Sequence, residues 1–210
     1  MTRYASIVAG GRSTRFGDRD KAVADLAGVP MVRRVADRLS DVVDRLVVNC
    51  RPDQREAIGA ALDGYALPVR YAEDPTPDQG PMAGIRTALR GVEGWGDADA
   101  AAFVVACDMP FVDPRFVAAL FDRLDGHDAV VPRVDDEWFQ TTHAVYRAGP
   151  MAEACEAALE RGDRKIVAPL LDIDHAVVGA DDLAALDVDD RTFENLNTRE
   201  EFEAAAEAFE

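Results

Sequence analysis

A chain of 210 residues is long enough to bury one substantial α/β core. Its 40 acidic and 23 basic residues give a formal net charge of −17, spread along the whole chain. Such a polyanionic surface repels nucleic acid and anionic membranes, which argues against both as partners, and it stays hydrated where salt screens charge, the pattern of a salt-loving organism.

The elements alternate between strand and helix. Tyr4 to Ala9 reads as a buried first strand, Met31 to Leu39 as an amphipathic helix behind Pro30, and Arg45 to Asn49 as the second strand. Asp53 to Leu62 is a helix, Val69 to Ala72 a short strand, and Ala83 to Arg90 a helix after Gly80-Pro81. Ala102 to Ala106 is a strongly apolar central strand, followed by a helix over Pro114 to Leu124. Ala129 to Val134 and Thr142 to Tyr146 are further strands. Met151 to Glu160, Lys165 to Leu171 and Glu200 to Phe209 close the chain as helices. This alternation predicts one α/β domain over residues 1–210, a doubly wound and mostly parallel sheet. Ligands of such sheets bind beyond the carboxyl ends of the strands, where Asn49, Asp74 and Asp108 each follow a strand.

The most informative segment follows the first strand: Val8-Ala9-Gly10-Gly11-Arg12-Ser13-Thr14-Arg15-Phe16-Gly17-Asp18-Arg19-Asp20-Lys21. Paired glycines allow a tight turn and close approach to a ligand. Backbone N–H groups, hydroxyls and fixed positive charge suit a polyphosphate. The dinucleotide fingerprint and the P-loop are both excluded by spacing, since Lys21 lies between Asp20 and Ala22 rather than before Ser or Thr. Only Lys21 and Lys165 are lysines in the chain. A compact ammonium on phosphate is a reason to keep a lysine at that position.

Cys107-Asp108-Met109-Pro110 sets a carboxylate at the end of the central strand, suited to Mg²⁺. The alternative, that Asp108 caps the helix at Pro114, is weaker because Asp113 is better placed for the cap. Gly80-Pro81-Met82-Ala83-Gly84 can bring backbone close to a flat base, and Asp74 just upstream can accept from the N1 and N2 edge of guanine. Near the C-terminus Thr198 and Glu201 form a capping box, leaving Asn195 and Asn197 on one face of an extended stretch. Those amides complete a metal shell or hold a second substrate. Trp138 to Tyr146, with Gln140 and His143, is either an ordinary loop and strand or part of an acceptor site. The cysteines Cys50, Cys107 and Cys155 and the histidines His127, His143 and His175 lack metal-ligand spacing. They read as buried thiols and isolated imidazoles of a reducing cytosol, in a chain that starts directly with a strand and has no transmembrane run.

Taken together these stretches resemble the molybdenum cofactor guanylyltransferase family, among nucleotidyltransferases of the nucleotide-diphospho-sugar transferase or glycosyltransferase-A-like, Rossmann-like fold. The family's Leu-Ala-Gly-Gly-x-Ser-x-Arg-Met-Gly-x-Asp-Lys loop is matched by Val8 to Lys21, with Val8 for Leu and Phe16 for Met. Gly80 to Gly84, Cys107 to Pro110, Thr142 to Tyr146 and Asn195 to Glu200 match four further stretches, with Met82, Thr142 and Arg199 as departures. The resemblance implies that Val8, Ala9, Gly10, Gly11, Lys21, Asn49, Asp74, Gly80 and Asp108 hold GTP, and that Asp108 with Asn197 holds Mg²⁺. Lys21, Arg15 and Asp108 then carry catalysis, and Gln140, His143, Asn195 and Asn197 receive molybdopterin. It also implies a cytoplasmic enzyme that meets other cofactor-biosynthesis proteins transiently. Two alternatives stay open: transfer to another phosphorylated acceptor, such as a corrinoid or sugar phosphate, and a nucleotide-binding module without turnover.

Overall fold

Ala101–Ala106 (β6) lies at the centre of the sheet because every side chain along it is apolar and both its faces are covered. A computed structural model describes residues 2–11, 20–76, 79–95, 99–134 and 138–209. Its other strands are Arg3–Val8 (β1), Asp25–Leu26 (β2), Val29–Pro30 (β3), Arg45–Cys50 (β4), Val69–Glu73 (β5), Ala129–Val134 (β7), Trp138–Phe139 (β8), His143–Arg147 (β9) and His175–Val178 (β10). The helices are Met31–Leu39 (α1), Arg55–Ala61 (α2), Pro81–Glu93 (α3), Pro114–Asp122 (α4), Ala148–Glu160 (α5), Ala168–Leu171 (α6), Ala180–Ala185 (α7) and Arg199–Ala206 (α8).

Among the described residues the main sheet has the order β10-β7-β9-β6-β1-β4-β5, with β8 paired to β7 and a small separate β2-β3 hairpin. β1 is parallel to β4 and β6, β4 to β5, and β7 to β10. β9 runs against both its neighbours, β6 and β7, and the short β8 runs against β7. The eight residues that separate β7 from β9 are too few for a parallel crossover.

Alternation along the strands sends successive side chains to opposite layers. Phe103 and Val105 pack with Val35 and Leu39 of α1 and Phe116 and Leu120 of α4. Ala102 and Val104 pack with Ile85 and Leu89 of α3 and Met151 and Cys155 of α5. A third cluster joins Leu26, Met31 and Phe111 to Leu196 and Ala205 of the C-terminal region.

Several boundaries differ from those expected. The helix expected from Asp53 begins with a 3-10 turn, Pro52–Gln54, before α2. The helix expected from Lys165 is confined to Ala168–Leu171, and the C-terminal one ends as a 3-10 turn over Glu207–Phe209. Asn49 sits inside β4 rather than after it. The edge strand β10 and helix α7 are additional: β10 is four residues long, half exposed and without alternation, and α7 buries no residue.

Candidate active site

The register places Val8 of β1 beside Asn49 of β4 and Ala106 of β6, and Asn49 beside Ala72 of β5. Thr142 joins the row, since its carbonyl accepts from the Ala106 N–H at 3.3 Å. One sheet edge therefore presents four parallel carboxyl ends and the entry to β9. A pocket of about 460 Å³ opens there. Val8, Ala9, Gly10, Gly11, Lys21, Asn49, Asp74, Gly80 and Asp108 all line it, as does Asn195. Thus all nine residues expected to bind nucleotide share one cavity.

Lys21 is 5% exposed. Its ammonium donates to Asp108 Oδ2 at 2.8 Å and to Asn197 Oδ1 at 3.4 Å. Asp20 aims it: the Asp20 carboxylate accepts from the Ala22 N–H and starts the 3-10 turn Lys21–Val23. Asp108 Oδ1 is buried without a hydrogen-bond partner among the described residues. Helix α4 is capped by Asp113, which accepts from the Arg115 N–H, so Asp108 is not that helix's cap.

Opposite lies a second polar cluster. Asn49 Nδ2 donates to Asp74 Oδ1 at 2.7 Å and to the Ala72 carbonyl at 3.2 Å, while Asn49 Oδ1 is buried without a partner among the described residues. Burial pushes the Asp74 carboxyl above its usual range, against the lowering effect of hydrogen bonds from Asn49 and Thr87. Two glycines make room for this pair. A Cβ on Gly10 would stand 2.5 Å from Asp74 Oδ2, and one on Gly84 would stand 2.9 Å from Asn49 Oδ1. Any side chain at either position displaces the carboxylate or the amide.

The C-terminal stretch supplies the remaining wall. Thr198 accepts from the Glu201 N–H and Glu201 reaches back to Thr198, the expected capping box. Leu196 is buried with Leu26, Met31, Phe111 and Ala205, and its N–H donates to the Asp108 carbonyl at 3.0 Å. That leaves Asn195 and Asn197 exposed, one lining the pocket and the other against Lys21.

His143 requires a correction. Its ring is fully buried, stacked on Phe116 and edge-on to Phe103 and Phe193. Burial lowers its pKa to about 3, so the ring is neutral, and Nε2 meets the Thr192 hydroxyl at 3.1 Å. In this position it cannot touch an acceptor. Strand alternation is the reason: the neighbouring Thr142 lines the pocket while His143 faces the layer of α4. Gln140 is not among the pocket residues, and its backbone ties to Pro132 and His143. Arg15, with Ser13 and Thr14, lies outside the described residues.

Pattern reasoning misses Thr76, Gln79 and Thr142 in the lining, and Arg51 and Gln54 behind the loop. The signal for the last two is the Arg-Pro-Asp-Gln run closing β4, where a polar residue two positions after a proline turns back toward the sheet. The three thiols are held in the protonated form, Cys107 among the pocket lining. Burial raises Cys50 to about 11 and Cys155 to about 12, and Cys107 is raised as well.

A family model described as "MobA-like NTP transferase domain" matches residues 5–176. A Natronomonas pharaonis protein named "Probable molybdenum cofactor guanylyltransferase" is 53% identical over 98% of this chain and 97% of its own length. A Desulfosudis oleivorans protein named "Molybdenum cofactor guanylyltransferase" is 30% identical over 96% of this chain and 93% of its own. The crystal structure of molybdopterin-guanine dinucleotide biosynthesis protein A from Archaeoglobus fulgidus superposes with a TM-score of 0.75 at 26% identity, covering 99% of this chain and 98% of that one.

Proposed function

Because the chain belongs to the family of MobA-like NTP transferase domains, we propose that it transfers the GMP moiety of GTP to the terminal phosphate of molybdopterin. An oxygen of the acceptor phosphate attacks the α-phosphorus, the bond from that phosphorus to the bridging oxygen breaks, and pyrophosphate leaves. The observation that carries this reading is that one pocket brings together the Lys21–Asp108 pair and the Asn49–Asp74 pair. The names carried by the relatives support the choice of nucleotide and acceptor.

The chemistry asked of the protein is positioning and charge neutralisation. The acceptor phosphate is already an anionic nucleophile, so no strong base is required. Asp74 accepts from guanine's N1 and N2 edge, with Asn49 Oδ1 open for a further donor. The Lys21 ammonium offsets charge that grows on the departing pyrophosphate. Asn195 and Thr142 face the side from which the acceptor enters.

The donor set fits Mg²⁺. Asp108 offers a hard oxygen without a partner among the described residues, and Asn197 an amide oxygen nearby. Among the described residues no three His, Cys, Asp or Glu side chains converge, so substrate phosphates and water would complete the shell. When bound, Mg²⁺ supplies further neutralisation of phosphate charge. Cytoplasmic placement belongs to the same reading, and among the described residues no helix is long and apolar enough to cross a membrane.

The test is a competition assay. GTP and CTP are offered with Mg²⁺ and with molybdopterin, a sugar 1-phosphate and a corrinoid phosphate, and pyrophosphate and product mass are measured. The expected result is a guanine dinucleotide of molybdopterin. Transfer only to a non-pterin acceptor, or equal use of both nucleotides, contradicts the assignment while keeping the reaction class.

A further inference from the structure

Gln54 is 2% exposed, polar and outside the pocket lining, and the reaction derived above does not use it. It ends the 3-10 turn after β4. Its amide nitrogen donates to the Ala9 carbonyl at 3.0 Å and to the Asp20 carboxylate at 2.7 Å, and its oxygen accepts from the Arg51 N–H at 2.9 Å. One side chain therefore ties the residue that opens the glycine-rich stretch to the residue that precedes Lys21.

Arg51 works beside it. Its Nη1 donates to the carbonyls of Gly10 at 3.1 Å and Gly11 at 2.8 Å. Nε and Nη2 are held by the Asp53 carboxylate at 3.1 and 3.2 Å, which fixes the plane of the guanidinium. Most of its N–H donors are spent in these bonds. Arg51 is thus built to hold backbone rather than to bind an anion directly.

The consequence lies in the peptide planes. In a trans peptide the N–H points opposite to the C=O, and the described backbone has no cis bond. Drawing the Ala9 carbonyl to Gln54 and the Gly10 carbonyl to Arg51 turns the N–H groups of Gly10 and Gly11 the other way. Gly10 and Gly11 line the pocket, whereas Arg51 and Gln54 do not. We propose that Gln54 and Arg51 are positioning residues that aim the Gly10 and Gly11 N–H groups at the phosphate oxygens of the nucleotide and set Lys21 at its working distance from them. This rests on the nucleotide-transfer reading above.

The experiment measures affinity for GTP and for guanosine by competition against a fluorescent GTP analogue, with melting temperature alongside. Wild type is compared with Gln54→Leu, Arg51→Met and Arg51→Lys. Guanosine lacks phosphate, so it reports the base site alone. Gln54→Leu changes no charge and should weaken GTP by roughly tenfold, with guanosine held within about twofold. Arg51→Lys keeps the charge but not the planar fork, and should fall with Arg51→Met. Equal losses for GTP and guanosine would make the two residues merely structural and overturn the proposal. So would unchanged GTP binding, or an Arg51→Lys variant that binds like wild type. Should Gln54→Leu fail to fold, the arginine pair carries the same comparison. A wild-type protein that does not favour GTP over guanosine instead overturns the nucleotide reading, and the positioning role falls with it.

Discussion

The wall formed by the carboxyl ends of β1, β4, β5 and β6 belongs to four adjacent parallel strands running from the centre of the sheet to one edge, whereas the wall carrying Asn195 and Asn197 comes from a segment that has left the sheet. On the first wall each key residue stands in or next to a paired strand: Val8 beside Asn49 and Ala106, Asp74 bonded to the Cys50 carbonyl, and Asp108 two residues past β6. The second wall is held without strand pairing, by the small apolar cluster around Leu196 and a few hydrogen bonds. Leu196 bonds the Asp108 carbonyl, and Thr192 accepts from the Asp113 N–H and meets His143. A phosphate-and-base site benefits from the rigid wall, because charge neutralisation works only if the groups are already in place. The second wall needs only to offer amides to a substrate that arrives with its own nucleophile.

The comparison breaks most sharply at Lys21. Lys21→Ala should lower turnover by roughly 10²-fold or more at saturating GTP. Near-normal turnover in that variant would remove the ammonium from the mechanism and put the two walls on equal footing. Next in size, Asp74→Asn should cut the preference for GTP over CTP by about tenfold or more, since an amide leaves guanine's donors mismatched. Base preference should also weaken on acidification sooner than an ordinary surface carboxylate would allow, because burial raises the Asp74 pKa. Relative rates with the two nucleotides across pH read both effects.

On the second wall, Asn195→Ala should raise the acceptor KM by roughly threefold to tenfold while leaving GTP affinity unchanged. A loss of GTP affinity of the same size would show that the two walls do not divide the substrates. The smallest effect is expected at His143. Its folded pKa is depressed to about 3, so the unfolded chain binds the extra proton below pH 6.5 and stability is lost as pH falls from there. His143→Phe lacks that loss. Its deficit relative to wild type should therefore shrink between pH 7 and pH 5, by roughly 1–2 kcal/mol. Denaturant unfolding at the two pH values checks it, and a constant deficit would mean that the buried ring is not neutral in the folded state.

The same contrast separates the residues whose place in the pocket is legible in the sequence from those whose place is not. Lys21 is legible because it is one of two lysines in the chain and closes the glycine-rich stretch. Gly10, Asp74 and Asp108 are legible because local spacing controls them: each sits just past a strand, and strand ends show as apolar runs that stop. The helix Met31–Leu39 and the cap of Asp113 are legible for the same reason. His143 is misplaced by pattern alone because strand parity decides its face, and the chain there contains a two-residue strand, a turn and a reversal of direction. Arg51 and Gln54 escape notice because their partners lie some forty residues away, reached only once β1 and β4 pair. The strand His175–Val178 escapes it because the strand is short and half exposed.

The most direct test of the central claim is a crystal structure of the protein with GTP and Mg²⁺. The guanine edge is expected on Asp74 and Asn49, the triphosphate along Gly10, Gly11 and Lys21, and the metal on Asp108 Oδ1. A nucleotide bound with its base against Lys21, or bound away from the carboxyl ends of β1, β4, β5 and β6, would contradict it.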